Sequence, residues 1–259
     1  MKLCNKIFNF FVKSKKDASE ARRIETEKEA EKILSNPKKE ENFIICNDKQ
    51  IPIEWDSVVT FKNVGGLSLP KNCYRQAKNE RIPQMFVVHW DVCLSSESCF
   101  NVLKKKGVSV HFCIDNDGTI YQLMDCNDIG WHAGNRNVNN NSVGVEISNA
   151  YYPKYQNIYR KKGFGPRPIL HDVQVHGKNL DPFLGFYSVQ EQALQALIKV
   201  LHKVYDIPLT TPMDGENILK SVDINVQRGI FKGVVNHYHV TTRKIDCAGL
   251  ELDKILKNI

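Results

Sequence analysis

"MFVVHWDV", residues 85–92, sets the architecture expected of the chain. An apolar run rich in β-branched and aromatic residues is the pattern of a strand buried on both faces. His89 stands at its end, where a polar ring would emerge at the rim of a sheet. Downstream, "VSVHFCIDNDGTIYQLMD" (108–125) alternates on either side of Asp117-Gly118 and predicts a β-hairpin with a tight turn. "SVGVEISNA" (142–150) and "IFKGVVNHYHV" (230–240) predict two more strands, the second being the last. "SVQEQALQALIKVLHKVYDI" (188–207) carries Ala193, Leu194, Leu197, Ile198, Leu201 and Val204 at helical spacing and predicts a core-facing helix. Strands and helices mixed in this way predict an α/β fold, a central mixed β-sheet flanked by helices.

The chain has 259 residues, 42% of them hydrophobic, enough for one medium domain with an appendage and too apolar for a disordered chain. A charge of +7 favours contact with an anionic polymer: nucleic acid, a membrane surface or a bacterial cell wall. "SKKDASEARRIETEKEAEKILS" (14–35) reads as an exposed helix with charge pairs at helical spacing, ended by Asn36-Pro37. Residues 1–41 are therefore expected to be a charged helical leader and 42–259 the functional domain. "MKLCNKIFNFFVKSKK" at the start has an apolar patch too short to span a bilayer and no small-residue cleavage site. It reads as a poor signal peptide, suited at most to weak docking on a membrane or a protein. Eight scattered cysteines with no CxxC pair argue against a zinc ribbon or a redox dithiol. Cys93 and Cys99 are compatible with a bridge in an oxidising compartment or with a reduced pair in the cytosol.

"VVNHYHVTTRKIDCAGL" (234–250) concentrates two histidines, a lysine, an aspartate and a cysteine. A zinc hydrolase needs three protein ligands drawn from neutral imidazoles, thiolates and carboxylates, with a fourth position left for water. His237 and Cys247 offer two from one loop, and His89 is the best third, because neighbouring strands bring their ends together.

"FVVHWDV", "SVHFCIDNDGTIYQ", "GWHAGNRNVNNNSVGVEISNA" and "GVVNHYHVTTRKIDCAG", in that order over roughly residues 83–255, resemble the zinc-dependent N-acetylmuramoyl-L-alanine amidases of the amidase-2 family. That family includes phage lysozyme-type amidases, bacterial amidases and peptidoglycan recognition proteins. The resemblance implies one zinc per chain on His89, His237 and Cys247, with His239 the alternative to His237 and Asp246 the alternative to Cys247. The cysteine is preferred because zinc favours thiolate and the loop register to His237 suits it. Ala248 stands where the family often has proline, and the lysine register is shifted. Lys244 is the expected cation for the developing oxyanion, with Arg243 as its alternative.

Glu146 alternates with the aliphatic residues of its strand and so faces away from them. A carboxylate on a central strand is costly to bury unless paired or functional. Some family members use this glutamate as the base, and others a tyrosine just before the hairpin histidine. That position is Val110 here, which leaves Glu146. Zinc lowers the pKa of bound water from about 15.7 towards roughly 7. Glu146 is expected to take its proton, while zinc and Lys244 hold the oxyanion and L-alanine's amine departs.

The Gly- and Asn-rich loop "GWHAGNRNVNNNS" (130–142) is expected to form a substrate wall for peptidoglycan: Trp131 stacking on a sugar, His132 donating to a carbonyl, Arg136 and Asn137 reaching the stem peptide. Trp131 reads equally as a core residue, and His111 as structural. "YYPKYQNIYRKKGFGPRP" (151–168) interleaves tyrosines with basic residues, as a glycan groove or a nucleic-acid surface would, but no nucleic-acid motif accompanies it. "HDVQVH" (171–176) gives no metal reading. The expected activity is cleavage between N-acetylmuramic acid and L-alanine, and the alternative is a recognition module that binds the wall without cutting it. A remoter alternative is a structural virion or envelope component. Action on the wall without a signal peptide implies cytoplasmic synthesis followed by release on lysis, carriage on a phage particle, or recycling inside the cell.

Overall fold

Alternation along the strands sorts the sheet's two faces. A computed structural model describes residues 41–259; the leader expected over 1–41 lies outside the described residues except for Glu41. The central sheet contains β1 (Val58–Thr60), β2 (Met85–Trp90), β3 (Phe112–Ile114), β4 (Ile120–Gln122), β5 (Ser142–Ile147) and β6 (Gly233–Asn236) in the order β6-β2-β5-β3-β4-β1. All neighbours are parallel except the β3–β4 hairpin. Phe86, Val88 and Trp90 of β2, Val143, Val145 and Ile147 of β5 and Val234 of β6 face the main apolar core. Met85, Val87 and Val235 lie in a separate cluster, as the two-residue period requires.

The helices are α1 (Ser96–Lys106), α2 (Arg136–Asn141) and α3 (Ser188–Tyr205), with shorter ones at Gln156–Lys161, Ile224–Arg228 and Leu252–Lys257. α3 buries Ala193, Leu194, Leu197, Ile198 and Leu201 in the main core, the stripe its spacing predicts. Ser95 caps α1 by accepting from the Ser98 N–H, and Gly107 closes the helix in the left-handed region at φ 64°. In the hairpin, Gly118 sits at φ 82°, where a side chain would also strike Val189.

The last strand is shorter than expected. It stops at Asn236, and His237–His239 form a 3-10 turn in which the Asn236 N–H donates to His239 Nδ1 (3.1 Å). That local side-chain bond competes with extension of the ladder.

Residues 151–187 are tied down by a cation. Arg167 is 2% exposed. Its guanidinium lies between the Tyr159 and Tyr187 rings, 4.5 and 4.2 Å from their centroids. It donates to the carbonyls of Ser148 and Gly185 and to the side chains of Asn116 and Gln190. Part of the tyrosine and basic interleaving is thus internal architecture. Arg167→Met is expected to lower unfolding stability by about 3 kcal/mol, because these buried acceptors would lose their donors; chemical denaturation measures it.

Candidate metal centre

β2 and β5 run parallel with His89 directly opposite Glu146, and β6 pairs on the other side of β2 with Asn236 opposite Val88. The C-terminal ends of the parallel strands therefore deliver His89, Glu146 and His237 to one rim of the sheet, where open α/β sheets bind ligands. His89 and Glu146 occupy the side of their strands away from the main core.

Three atoms converge there. His89 Nδ1 lies 2.8 Å from His237 Nδ1 and 3.2 Å from Asp246 Oδ2, and His237 Nδ1 lies 2.9 Å from the same oxygen. All three residues are buried. The surrounding hydrogen bonds assign the tautomers. Ser142 Oγ donates to the Val138 carbonyl (2.7 Å), so it accepts from His132 Nε2–H (3.2 Å). His132 Nδ1 then accepts from His89 Nε2–H (3.0 Å), which leaves His89 Nδ1 bare. His237 Nε2–H donates to the Ala133 carbonyl (3.3 Å), which leaves its Nδ1 bare as well. Two nitrogen lone pairs and a carboxylate oxygen thus point at one another. One proton would satisfy one pair of these atoms, whereas a cation satisfies all three. Two neutral imidazoles and a carboxylate are also a donor set that zinc takes.

The electrostatics agree. Burial, then the facing His237, holds His89 down to about 4, so the ring is neutral near pH 7. Burial, then His89 and His111, keeps His132 well below the ordinary imidazole value. Burial opposes ionisation of Asp246, but the facing His237 and His89 outweigh it and hold the carboxyl below its usual range.

Asp246, rather than Cys247, supplies the third converging atom, which corrects the cysteine expectation. Cys247 is 0% exposed in the main apolar core, and burial, then the neighbouring carboxylates, pushes its thiol well up, away from thiolate. His239 does not join the group: it donates from Nε2 to the Leu219 carbonyl (2.7 Å) and accepts at Nδ1 from Asn236.

Glu146, His237, Asp246, Lys244 and Trp131 line one cavity of about 500 Å³. Glu146 Oε2 is shielded from solvent with no hydrogen-bond partner among the described residues. Burial, then Asp246 and Asp91, pushes its carboxyl well above the usual range, while Lys244 pulls the other way. Trp131, 39% exposed, is a wall and not core. Arg243 shares the lining.

His132 lines the cavity too, but both its ring nitrogens are engaged, so it supports His89 and has no free N–H for a substrate carbonyl. It fits because residue 144 is glycine: a Cβ there would come within 2.8 Å of the ring. Arg136 is not brought to this cavity; it lines a separate groove of about 340 Å³ that shares the Trp131 wall. Asn137 is exposed on α2 beside Gly229 and lines neither. His111 is structural: Nδ1 accepts from the Gly144 N–H (3.0 Å) and Nε2 donates to the Asp128 carbonyl (3.0 Å). Cys93 and Cys99 are neighbouring free thiols. Sequence reading missed Ser142, which orients His132, and Lys106, which reaches the cavity from the end of α1. A serine heading a strand carries no distinctive signal, and Lys106 is one of three consecutive lysines.

A model of the amidase-2 family, N-acetylmuramoyl-L-alanine amidase, matches residues 78–248. The chain belongs to this family. As a member of it, the chain is a peptidoglycan amidase, a hydrolase of the bond between N-acetylmuramic acid and L-alanine. Among solved structures it resembles a mutant endolysin from Bacillus subtilis at 19% identity, covering 78% of this chain and 98% of that one, with a TM-score of 0.44. AmpDh3 from Pseudomonas aeruginosa, in complex with anhydromuramic pentapeptide, is 20% identical over 74% of this chain and 66% of that one, with a TM-score of 0.45. The amidase LysC from Clostridium intestinale is 17% identical over 78% and 96%, with a TM-score of 0.43. A comparison with curated protein sequences gave no match.

Asp246→Ala is expected to abolish stoichiometric zinc uptake by this amidase, whereas Cys247→Ala is expected to keep it while losing about 1 kcal/mol of stability. Metal analysis after equilibrium dialysis, paired with denaturation curves, checks both.

Proposed function

We propose that one zinc ion, held by His89, His237 and Asp246, serves the amidase reaction of this chain, with Glu146 as its proton carrier and Lys244 as its oxyanion partner. The observation that carries this reading is the convergence of two bare imidazole nitrogens and a carboxylate oxygen beside a shielded, unpartnered glutamate oxygen. When bound, zinc supplies Lewis acidity that acidifies water and polarises a carbonyl.

The chain's own residues do the rest. Glu146, whose carboxyl is displaced upward, is suited to accept a proton from the attacking water and return it to the departing L-alanine nitrogen. The exposed Lys244 lines the cavity, and its charge bears on both His89 and Glu146, which supports its placement near the reacting carbonyl. Trp131 supplies an apolar wall for the muramyl sugar ring. His132 keeps His89 in the tautomer that presents Nδ1, and Ser142 keeps His132 in the complementary one.

The substrate is the glycan strand with its stem peptide. The chain's +7 charge suits the anionic polymers of a bacterial wall. Among the described residues no helix is long and apolar enough to cross a membrane. Leader docking falls on residues outside those described.

Purified peptidoglycan is expected to release L-alanine amino groups with wild type and none after chelation, with zinc restoring the release. Binding to the wall without release by the zinc-loaded protein would support the recognition-module reading instead. Glu146→Gln is expected to keep zinc and lose about 10²–10⁴-fold in kcat. Lys244→Met is expected to lose roughly a hundredfold in kcat with KM little changed, as for one removed oxyanion donor. Steady-state kinetics on a soluble N-acetylmuramoyl peptide reads both.

A further inference from the structure

We infer that His176 is a positioning residue for Lys244, acting through the lysine's backbone carbonyl. This rests on the reading that Lys244 faces the reacting carbonyl. The hairpin Gln174–Val175/Lys178–Asn179 turns at His176 and Gly177, both left-handed at φ 53° and 71°. Two central residues with positive φ make the tight turn that suits antiparallel strands, and histidine is one of the few non-glycine residues that enter that region readily. Its backbone N–H donates to the Lys220 carbonyl (2.8 Å), which fixes the turn from one side. Its ring stands edge-on to Tyr238, 6.3 Å between centroids, and Nε2 lies 2.9 Å from the Lys244 carbonyl oxygen. A carbonyl only accepts, so Nε2 carries the hydrogen. The other nitrogen, Nδ1, is buried without a hydrogen-bond partner among the described residues.

The segment that receives this bond carries both Lys244 and Asp246. Within it, the Lys244 N–H donates to the Thr241 carbonyl (3.2 Å) and the Tyr238 N–H to the Asp246 carbonyl (2.9 Å). His176 reaches the same segment from a distant part of the chain and fixes the peptide from which the Lys244 side chain departs. A donor held in a rigid turn restricts where the ammonium can stand, and catalytic hydrogen bonding depends on placement of that kind.

The test uses the full chain. His176→Phe keeps a ring against Tyr238 and removes the donor, and His176→Gln keeps a donor of similar reach. Each is made in wild type and in Lys244→Ala. His176→Phe is expected to lower kcat on a soluble N-acetylmuramoyl peptide about five- to tenfold, the worth of one hydrogen bond, with KM and zinc content unchanged. His176→Gln is expected to recover most of the loss, and in the Lys244→Ala background His176→Phe is expected to cost nothing further. Backbone amide exchange over residues 241–247 is expected to quicken in His176→Phe and not in His176→Gln. An unchanged kcat, an equal loss in both backgrounds, or failure of His176→Gln to rescue overturns the inference. If wild type releases no L-alanine amino groups, the amidase reading fails on its own, and the exchange measurement alone decides whether His176 holds the loop.

Discussion

Two imidazole nitrogens and a carboxylate oxygen sit 2.8 to 3.2 Å apart, out of water, and strand register, hydrogen-bonded tautomers and loop closure all act to hold them there. Lone pairs that close repel one another, and a buried carboxylate costs several kcal/mol unless it is paired. The parallel register of β2 with β5 and β6 sets the strand ends side by side. The chain of bonds from Val138 through Ser142 and His132 to His89 fixes which nitrogen faces inward. The Tyr238–Asp246 backbone bond brings the loop's carboxylate back to the same point. These supports are drawn from distant parts of the sequence, so the site exists only in the assembled sheet.

What was legible in the sequence follows from periodicity. The strand around Val87, the hairpin turn at Gly118, the strand carrying Glu146 and the stripe of α3 each rest on a local pattern, and the structure has all four. The face of Glu146 could be read because a two-residue period leaves no choice once Val143, Val145 and Ile147 are assigned to the core. The last strand was overextended because apolar residues continue to Val240, while the bond from Asn236 to His239 turns the chain three residues earlier. Short-range side-chain competition of that kind leaves hydropathy unchanged. Arg136 and Asn137 were placed on the substrate wall by loop composition, which does not say which side of a short helix meets the cavity.

The choice between Asp246 and Cys247 shows where residue chemistry alone falls short. Zinc's affinity for thiolate favours the cysteine when the two are weighed as ligands. Folding weighs them also as buried groups. A thiol enters an apolar core at little cost, while an unpaired carboxylate does not. Of two adjacent residues, one facing the core and one facing two imidazole nitrogens, the aspartate is stable only on the imidazole side, where a proton or a cation held between the three atoms pairs its charge. The arrangement places Cys247 among aliphatic side chains and turns Asp246 to the two imidazoles, beside which its carboxyl stays below the usual range. Competition for the core, and not only preference for the metal, decides the ligand.

The region 151–187 extends the same logic beyond the site. Arg167 joins this region to Ser148 just past the end of β5 and to Gln190 on α3, so the region is part of the sheet's support. From that anchored region the hairpin at His176 reaches the peptide of Lys244. The buried guanidinium and the turn with two left-handed residues thus lie on one stretch of chain, the first tied to the core and the second to the peptide of Lys244. A lysine has four rotatable bonds and little intrinsic preference for one placement. Constraining its backbone from a region that the core already holds narrows the positions its charge can take, without placing another charged group beside Glu146.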